Sequence, residues 1–356
     1  MKAKDVPNAG RPNRRQLLGL AGAFALPWRG AQAQAGGVLT PRPLSFPQDH
    51  GAHTDAHTEW WYLTGDLSRA DGRRYGFQVT FFRRRLDATQ ALQSRLAAKQ
   101  LLLAHAAITD VQEQRNWHDQ RLARWNGQAY PLPQSPAAVY AATTDTEVVL
   151  RDWRLERHAD GGYTTEVQAS DFGLSLGAQA TQPLLLQGED GFSRKGPEAS
   201  QASFYYSQPQ LAVQGRLRLQ GQTQAVTGRA WLDHEWSESL LHPDAVGWDW
   251  VGMNLQNGDS LTAFRLRRAD GSALWAGGSY RSQGASAATG RLRRFGPDEV
   301  VFAPLRFWTS PLTQTRYPVA WRLRTPSGDY TVKAVIDAQE LDSRQSTGAV
   351  YWEGLS

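Results

Sequence analysis

The sequence predicts an all-β protein with two tandem antiparallel β-barrel domains, preceded by a signal peptide. Apolar and polar residues alternate in several short runs, for example Tyr75–Phe81 and Val319–Leu323, as they do in half-buried antiparallel strands. Asp-Gly and Asn-Gly pairs, such as Asp71-Gly72 and Asn257-Gly258, stand between such runs where hairpin turns are expected. Because many short strands leave edges to protect, a closed or nearly closed barrel is the natural arrangement.

Residues 1–35 have the three parts of a twin-arginine signal peptide. Arg14-Arg15 precede an apolar stretch that ends near Leu26, and Ala alternates with Gln over residues 31–35, as in a small-residue cleavage site. The stretch is shorter than the roughly 20 residues that span a bilayer. We therefore expect a periplasmic or secreted protein, exported by twin-arginine translocation, with no transmembrane segment after cleavage. An amphipathic or disordered N-terminal arm is the alternative.

The signal peptide accounts for the whole net charge of +5. Residues 1–35 contain one acid, Asp5, and six basic residues: Lys2, Lys4, Arg11, Arg14, Arg15 and Arg29. The remaining chain is balanced in charge, which disfavours binding to nucleic acid. The chain has no cysteine, so it has neither a disulfide framework nor a lipid-anchor site. Its 14 Trp and 12 Phe supply the side chains for a conventional hydrophobic core.

After the signal peptide we expect an extended lead-in over 36–58, an N-terminal domain over 59–200 and a C-terminal domain over 201–356. A weak internal repeat supports two domains. Residues 60–84 and 248–267 each contain an aromatic-rich strand, a hairpin turn and a strand that ends in arginine. Coincidence is the alternative, because the matching stretch is short. Residues 88–103 are the only predicted helix, or else an Ω-type insertion.

Six motifs occur in order along the chain: His57–Gly65, Phe77–Arg83, Asp190–Gly196, Trp231–Trp236, Gly247–Trp250 and Tyr351–Gly354. Together they resemble the lipocalin-like family that includes the AttH proteins and the acyclic carotenoid 1,2-hydratases. The resemblance implies two lipocalin-like barrels with a ligand cavity near their junction. Relatives hydrate isoprenoid double bonds or cyclise polyketides, and many AttH-like members have no established activity. The resemblance therefore predicts the fold of this chain more reliably than it predicts a reaction.

The densest chemical motif is Asp233-His234-Glu235-Trp236. On a strand, Asp233 and Glu235 share one face, whereas His234 and Trp236 share the other. Water adds to an unactivated alkene only after protonation by a strong acid, and a carboxylic acid with a raised pKa can donate that proton. Indole rings stabilise the resulting cation by about 0.5–2 kcal/mol each. The alternative is a hydrogen-bonded structural network at a barrel mouth or a domain interface.

A second candidate acid is Glu59, which shares a strand face with Trp61, while Trp60 and Tyr62 take the other face. The predicted catalytic residues are thus Glu59, Asp233, His234 and Glu235. Asp249 lies between two Trp residues, although pairing with an arginine would give it a purely structural role. His105 is a catalytic base or a buried, hydrogen-bonded imidazole. The predicted ligand-binding residues are Trp61, Tyr62, Arg83, His105, Tyr206, Trp236, Trp248, Asp249 and Trp250.

Asp49, His50, His53 and His57 resemble a metal site, but their spacing is not that of a helical ligand pair, so we expect neither a metal nor a cofactor. The sequence has no nucleophile elbow, phosphate loop or dinucleotide fingerprint, which disfavours hydrolases of that type, kinases and oxidoreductases.

We therefore expect a protein that binds a hydrophobic, isoprenoid-like ligand and acts as a cofactor-independent hydratase. The alternatives are ligand binding without chemistry and an accessory role in the envelope or in surface attachment. A protein partner is not predicted. A deep cavity with a buried, unpaired carboxylate facing Trp rings favours catalysis. An apolar cavity, with Asp233 and Glu235 bonded to arginine, favours binding.

Overall fold

The computed structural model describes residues 39–94, 96–128, 138–239, 241–283 and 291–356. The predicted signal peptide and the first three residues of the lead-in, 36–38, lie outside the described residues. The described residues belong to one compact unit that spans Ala35–Ser356. Within them, no helix is long and apolar enough to cross a membrane.

The described residues form an all-β fold, as predicted. The largest sheet contains β1 (Thr58–Ser68), β2 (Arg74–Arg85), β3 (Gln100–Asp110), β4 (Arg115–Trp125), β5 (Val139–Ala141), β6 (Glu147–Leu150), β7 (Trp153–Arg157), β8 (Tyr163–Gln168), β9 (Phe172–Gln179), β10 (Leu185–Leu186), β11 (Phe192–Arg194), β12 (Ala202–Leu219) and β13 (Gln222–Ser237). Its strand order is β4-β3-β2-β1-β13-β12-β9-β8-β7-β6-β5, and β10 and β11 pair with β12. The end strands β4 and β5 lie against each other, so the antiparallel sheet is a nearly closed barrel.

Three smaller sheets follow the barrel. One contains β14 (Gly247–Asn254), β15 (Ser260–Arg267), β16 (Ala273–Arg281) and β17 (Leu292–Phe295), and a second contains β18 (Val301–Thr309), β19 (Arg316–Thr325) and β20 (Gly328–Lys333). The third pairs β21 (Glu340–Ser343) with β22 (Ala349–Trp352). A small core that includes Leu261, Phe302 and Leu323 lies between the first two sheets. The second barrel itself remains a prediction.

The internal repeat corresponds to two hairpins, β1–β2 and β14–β15. In the first, Gly72 has a φ of 85°, the left-handed conformation that a tight hairpin turn requires and that glycine adopts freely. The predicted domain boundary at 200 stays a prediction, but hydrogen bonding places the next two strands, β12 and β13, in the same sheet as β1.

The predicted helix over 88–103 is wrong. In the described part of this stretch, the chain forms a 3-10 turn at Asp87–Thr89 and enters β3 at Gln100. Leu92 and Leu96, which would lie on the buried side of a helix, are 50% and 89% exposed. Pairing of β3 with both β2 and β4 outweighs local helix propensity, because it buries the apolar run that begins at Leu101.

The lead-in closes one end of the barrel. Apart from a 3-10 turn at Gln48–His50, its described residues have no regular secondary structure before β1. The backbone N–H of Ala52 donates to the Ala142 carbonyl at 2.7 Å, and the Thr146 hydroxyl donates to the His50 carbonyl at 2.9 Å. These bonds hold Asp49 and His50 in buried positions over the barrel interior.

Candidate functional site

Strand β13 divides the predicted catalytic residues between the two faces of the sheet. Its neighbours β1 and β12 pair with it so that His234 lies opposite Trp61 and Tyr206, and Asp233 lies opposite Tyr62 and Ser207. Residues directly opposite in an antiparallel pair share a face. The inner face belongs to the barrel interior, and the outer face is covered by the C-terminal strands.

The inner cluster consists of buried or half-buried polar residues from the lead-in and four strands: Asp49, His50, His53, Glu59, Arg83, Tyr206 and His234. Glu59 lies at its centre and is fully buried. The Nε of Arg83 donates to Glu59 Oε2 at 2.7 Å, while His53 Nδ1 and His234 Nε2 lie 2.8 and 2.9 Å from Oε1. Burial alone would raise the pKa of Glu59, but the Arg83 charge and the two histidine bonds hold it well below its usual range. Glu59 is therefore a carboxylate, which favours a charge-stabilising role over that of a proton donor.

The tautomers of the buried histidines follow from the hydrogen-bond network. Burial lowers the pKa of His234 to about 4, so its imidazole is neutral at pH 7. His234 Nε2 donates to Glu59, and therefore Nδ1 accepts the Tyr206 hydroxyl at 3.0 Å. The Tyr206 oxygen in turn accepts from His50 Nδ1 at 2.7 Å. A directed chain of hydrogen bonds thus runs from His50 to Glu59.

His53 connects this chain to the protein surface. Its Nε2 lies 2.9 Å from Asp49 Oδ1, and Asp49 is bound to Arg42 at 2.6 Å. Burial lowers the pKa of His53, but the bonds to Asp49 and Glu59 outweigh burial and raise it. The ring stacks on Trp236 with centroids 3.6 Å apart and 6° between planes. Because 17% of its side chain is exposed, His53 is the solvent-facing member of the histidine chain.

The outer cluster lies between the sheet and the C-terminal strands and consists of Tyr62, Gln78, Tyr205, Ser207, Trp231, Asp233, Trp250 and Glu353. Asp233, 3% exposed, accepts hydrogen bonds from Ser207 at 2.6 Å, Trp231 at 2.7 Å and Tyr205 at 2.9 Å. Within the described part of the chain it has no cationic partner. Burial raises the pKa of Asp233 to about 7, although these three bonds oppose the shift.

Glu353 is a second carboxylic acid of the outer cluster. Gln78 Nε2 donates to its Oε2 at 2.8 Å, and Tyr62 also bonds to it. Burial raises the pKa of Glu353 to about 7. The edge of the Tyr62 ring meets Trp250 with centroids 5.5 Å apart, and Trp250 Nε1 donates to the Tyr205 hydroxyl at 3.1 Å. Aromatic side chains therefore connect Glu353 to Asp233.

Sequence reasoning did not assign Glu353 to the site. The signal was present, because Glu353 belongs to the Tyr351–Gly354 motif on which the resemblance rests in part. Its partner Gln78 is 275 residues away in the chain, so only the tertiary structure shows the contact.

Glu235 shares the face of Asp233 but has a different environment. Lys195 Nζ lies 3.0 Å from Glu235 Oε1, and the Ser203 hydroxyl donates to the same oxygen at 2.5 Å. Glu235 is thus ion-paired, whereas Asp233 has no cationic partner in the described chain. Of the two carboxyl groups in the motif, Asp233 is therefore the better proton donor.

The remaining predicted site residues have other partners. His105 Nδ1 and Nε2 lie 2.7 Å from the hydroxyls of Tyr351 and Ser346, and burial lowers its pKa to about 4. Asp249 bonds to Arg265 at 2.7 Å, as the structural alternative anticipated, and Trp248 is 54% exposed. The predictions that these residues bind a ligand are not tested by their positions.

A cavity of about 980 Å³ opens at the end of the barrel opposite the inner cluster. Its lining includes the ion pairs Arg69–Asp71 and Arg73–Asp110 beside Trp117. Because charged side chains line it and both clusters lie elsewhere, this cavity differs from the apolar ligand site that the resemblance implies.

One set of atoms in the inner cluster has the composition of a metal-ligand group. His53 Nδ1, Glu59 Oε1 and His234 Nε2 all lie within 4.8 Å of one another. The sequence suggested only Asp49 and the histidines of the lead-in, and we expected no metal there, whereas the fold brings Glu59 and His234 to His53.

The chain is similar to known proteins over most of its length. A family model described as AttH-like matches residues 37–356. The crystal structure of a candidate AttH from Nitrosomonas europaea, at 2.00 Å resolution, has a TM-score of 0.79 and 45% identity, covering 89% of this chain and 92% of that one. Kievitone hydratase from Nectria haematococca shares the fold, with a TM-score of 0.62, 12% identity and coverage of 85% and 83%. No curated protein matches the sequence.

Proposed function

The chain belongs to the AttH-like family, and we propose that it is a hydratase that adds water to a carbon–carbon double bond of a hydrophobic, isoprenoid-like ligand. The outer cluster carries the proposal. It combines two carboxyl groups of pKa about 7, Asp233 and Glu353, with the rings of Trp231, Trp250 and Tyr62. A general acid works best when its pKa is close to the working pH, and these two groups meet that condition.

The acids differ in access, which suggests separate roles. Asp233 is nearly inaccessible and lies beside Trp231, whose ring centroid is 6.5 Å from that of Trp250. Glu353 is partly exposed at the end of β22. Asp233 therefore donates the proton in the apolar part of the site, while the ionised form of Glu353 accepts a proton from water nearer the surface.

The reaction balances with water as the sole co-reactant. The Asp233 proton forms a C–H bond at the less substituted alkene carbon, and the positive charge develops at the more substituted carbon. The faces of Trp250 and Tyr62 stabilise that charge by about 0.5–2 kcal/mol each. Water then forms the C–O bond as Glu353 removes its proton, and transfer of this proton to Asp233 through solvent restores the site.

The Kievitone hydratase structure shows that this fold accommodates a hydratase, although at 12% identity it supports only the fold. The stronger support for hydration is that Asp233 has no cation beside it in the part of the chain that the structure describes. Pairing with arginine would have favoured a structural role, and Asp249 has that arrangement instead.

Purified mature protein incubated with lycopene-like and prenylated phenolic compounds tests the proposal. We expect mass spectrometry to detect a product with one added water. Asp233→Asn should abolish the product while ligand retention persists, and Asp110→Asn serves as the matched control, because Asp110 is buried, lies outside both clusters and is ion-paired with Arg73 at 3.1 Å. A tightly retained ligand with no product from any compound would contradict hydration.

Binding without chemistry is the second candidate function, and the burial of Asp233 favours it. At 3% exposure, Asp233 meets a substrate only if a covering side chain such as Trp250 moves. The same incubation separates the two functions, because a binding protein retains the compound unchanged.

We also propose that the protein is exported to the periplasm or secreted through the twin-arginine route. The support is the sequence of residues 1–35, with Arg14-Arg15 before an apolar stretch. Replacing both arginines with lysine should leave folded protein in the cytoplasm, as measured by cell fractionation. Undiminished export of that variant would contradict the proposal.

A further inference from the structure

We propose that the inner cluster is a binding site for a divalent transition-metal ion, with His53, Glu59 and His234 as its ligands. Two imidazole nitrogens and one carboxylate oxygen are the donor set of several catalytic zinc sites and of non-haem iron sites. Three protein ligands leave a coordination position open for water or for another small molecule.

Two of the three distances between the donor atoms are close to those of a metal site. Glu59 Oε1 lies 2.8 Å from His53 Nδ1 and 2.9 Å from His234 Nε2. Tetrahedral zinc with bonds of about 2.0–2.1 Å separates its ligand atoms by about 3.3 Å. An outward shift of about half an ångström at these two contacts reaches that separation. The third pair, His53 Nδ1 and His234 Nε2, lies within 4.8 Å, so one ion can reach all three atoms after a small adjustment of the side chains.

The groups that surround the three ligands match those of known metal sites. A metal-binding histidine usually donates its second ring N–H to a carboxylate or another oxygen, which fixes the tautomer and the ring orientation. Here Asp49 Oδ1 lies 2.9 Å from His53 Nε2, and the Tyr206 hydroxyl lies 3.0 Å from His234 Nδ1. Glu59 Oε2 accepts from Arg83 at 2.7 Å, while Oε1 accepts from the backbone N–H of His53 at 3.1 Å and faces both imidazoles, so it is the oxygen that can bind the ion.

Indole rings hold both imidazoles in place. His53 stacks on Trp236 at 3.6 Å, and His234 stacks on Trp61 at 4.7 Å with 23° between planes. Ligands that are held in one orientation before binding lose little conformational freedom when the ion arrives. The 17% exposure of the His53 side chain gives the ion access from solvent.

The protons balance. Both nitrogens of His53 face carboxylates, and when both carry a proton the ring donates to Glu59 and to Asp49. Metal binding at Nδ1 releases one proton to solvent. To free Nε2 for the ion, His234 carries its proton on Nδ1 and donates it to the Tyr206 hydroxyl oxygen. The Tyr206 hydroxyl then donates to His50 Nδ1 instead of to His234. His50 therefore carries its proton on Nε2. This tautomer change releases no further proton.

Isothermal titration calorimetry and elemental analysis of dialysed protein with Zn²⁺ test the proposal. We expect one ion per chain, and Co²⁺ should give the visible absorption bands of a nitrogen- and oxygen-ligated site. Loss of an outer partner typically weakens metal binding about 10- to 100-fold, so loss of a direct ligand in His53→Ala should weaken it by more than about a hundredfold.

His57→Ala is the matched control, since His57 lies in the same lead-in but faces Asp87 at 3.4 Å, outside the cluster. Asp49→Asn, which retains all three ligands, should weaken binding about 10- to 100-fold and serves if His53→Ala fails to fold. Wild-type protein that takes up no zinc, or equal uptake by wild type and His53→Ala, would overturn the proposal.

Discussion

At the residue scale, the two faces of β13 hold carboxyl groups in opposite protonation states. Glu59 is fixed as an anion by Arg83, whereas Asp233, with neutral donors alone around it in the described chain, has a raised pKa. Burial is common to both, so the difference comes from the charge of the partner. The Glu59–Arg83 pair should therefore affect the stability of the protein, and Asp233 should affect how that stability changes with pH.

Arg83→Met should lower the free energy of unfolding by about 3–5 kcal/mol, because it leaves the Glu59 charge buried without its partner. Chemical denaturation measures the loss. Arg85→Met is the matched control, since the partly exposed ion pair between Arg85, the last residue of the same strand, and Asp87 contributes at most about 1 kcal/mol. Equal losses in the two variants would contradict the assignment of Glu59 and Arg83 as a buried ion pair.

Asp233 should make the protein less stable as pH rises from about 4 to about 7. In this window the folded state keeps the carboxyl proton while the unfolded state has lost it, so the unfolded state binds fewer protons and stability falls with pH. Asp233→Asn removes this contribution and should flatten the dependence. Denaturation curves at pH 5 and pH 7 for both proteins check it, and an unchanged slope in the variant would show that Asp233 does not titrate in this range.

At the element scale, the antiparallel pairing of β1, β12 and β13 decides which side chains lie in the inner cluster and which lie in the outer cluster. The period of two in Asp233-His234-Glu235-Trp236 was sufficient to predict which side chains share a face, and the observed register confirms it. The helix expected over 88–103 failed because local composition does not reveal that β3 lies between two partners. Likewise, the His234–Glu59 contact joins residues 175 apart, which no local pattern indicates.

Close contact between β1 and β13 depends on glycine. A Cβ at Gly228 would lie 1.9 Å from the backbone carbonyl oxygen of Asp66 on β1. Gly228→Ala should therefore push the strands apart and cost about 1–3 kcal/mol, measured by chemical denaturation. Gly177→Ala on β9 is the control, because its nearest atom would be 3.8 Å away, and the account fails if this variant loses as much stability.

At the scale of the whole molecule, the barrel of β1–β13 is far better buried than the sheets that follow. Its core includes the fully buried Trp61, Phe81 and Trp153, whereas Leu305, Phe307 and Leu312, within and just after β18, are exposed. The all-β class and the family motifs were predictable from sequence, because strand alternation and turn residues are local. The meeting of Glu353 with Gln78 was not, because it depends on how the C-terminal strands cover the barrel.

This difference predicts a gradient of hydrogen exchange. Amides of β1, β2 and β13 should exchange slowest, since each strand is hydrogen-bonded along its length to a neighbouring strand on both sides. Amides of β20, an edge strand whose side chains are largely exposed, should exchange fastest among the strands. Exchange followed by mass spectrometry provides the comparison, and equal protection of β20 and β1 would contradict it.

The central claim is that Asp233 donates the proton for addition of water. Its most direct test is the rate of product formation from a prenylated substrate in ¹⁸O-labelled water, for wild type and Asp233→Asn. We expect one labelled oxygen in the wild-type product and a rate at least about a hundredfold lower in the variant, the usual contribution of a general acid. An equal rate in the variant, or wild-type product without the label, would contradict it.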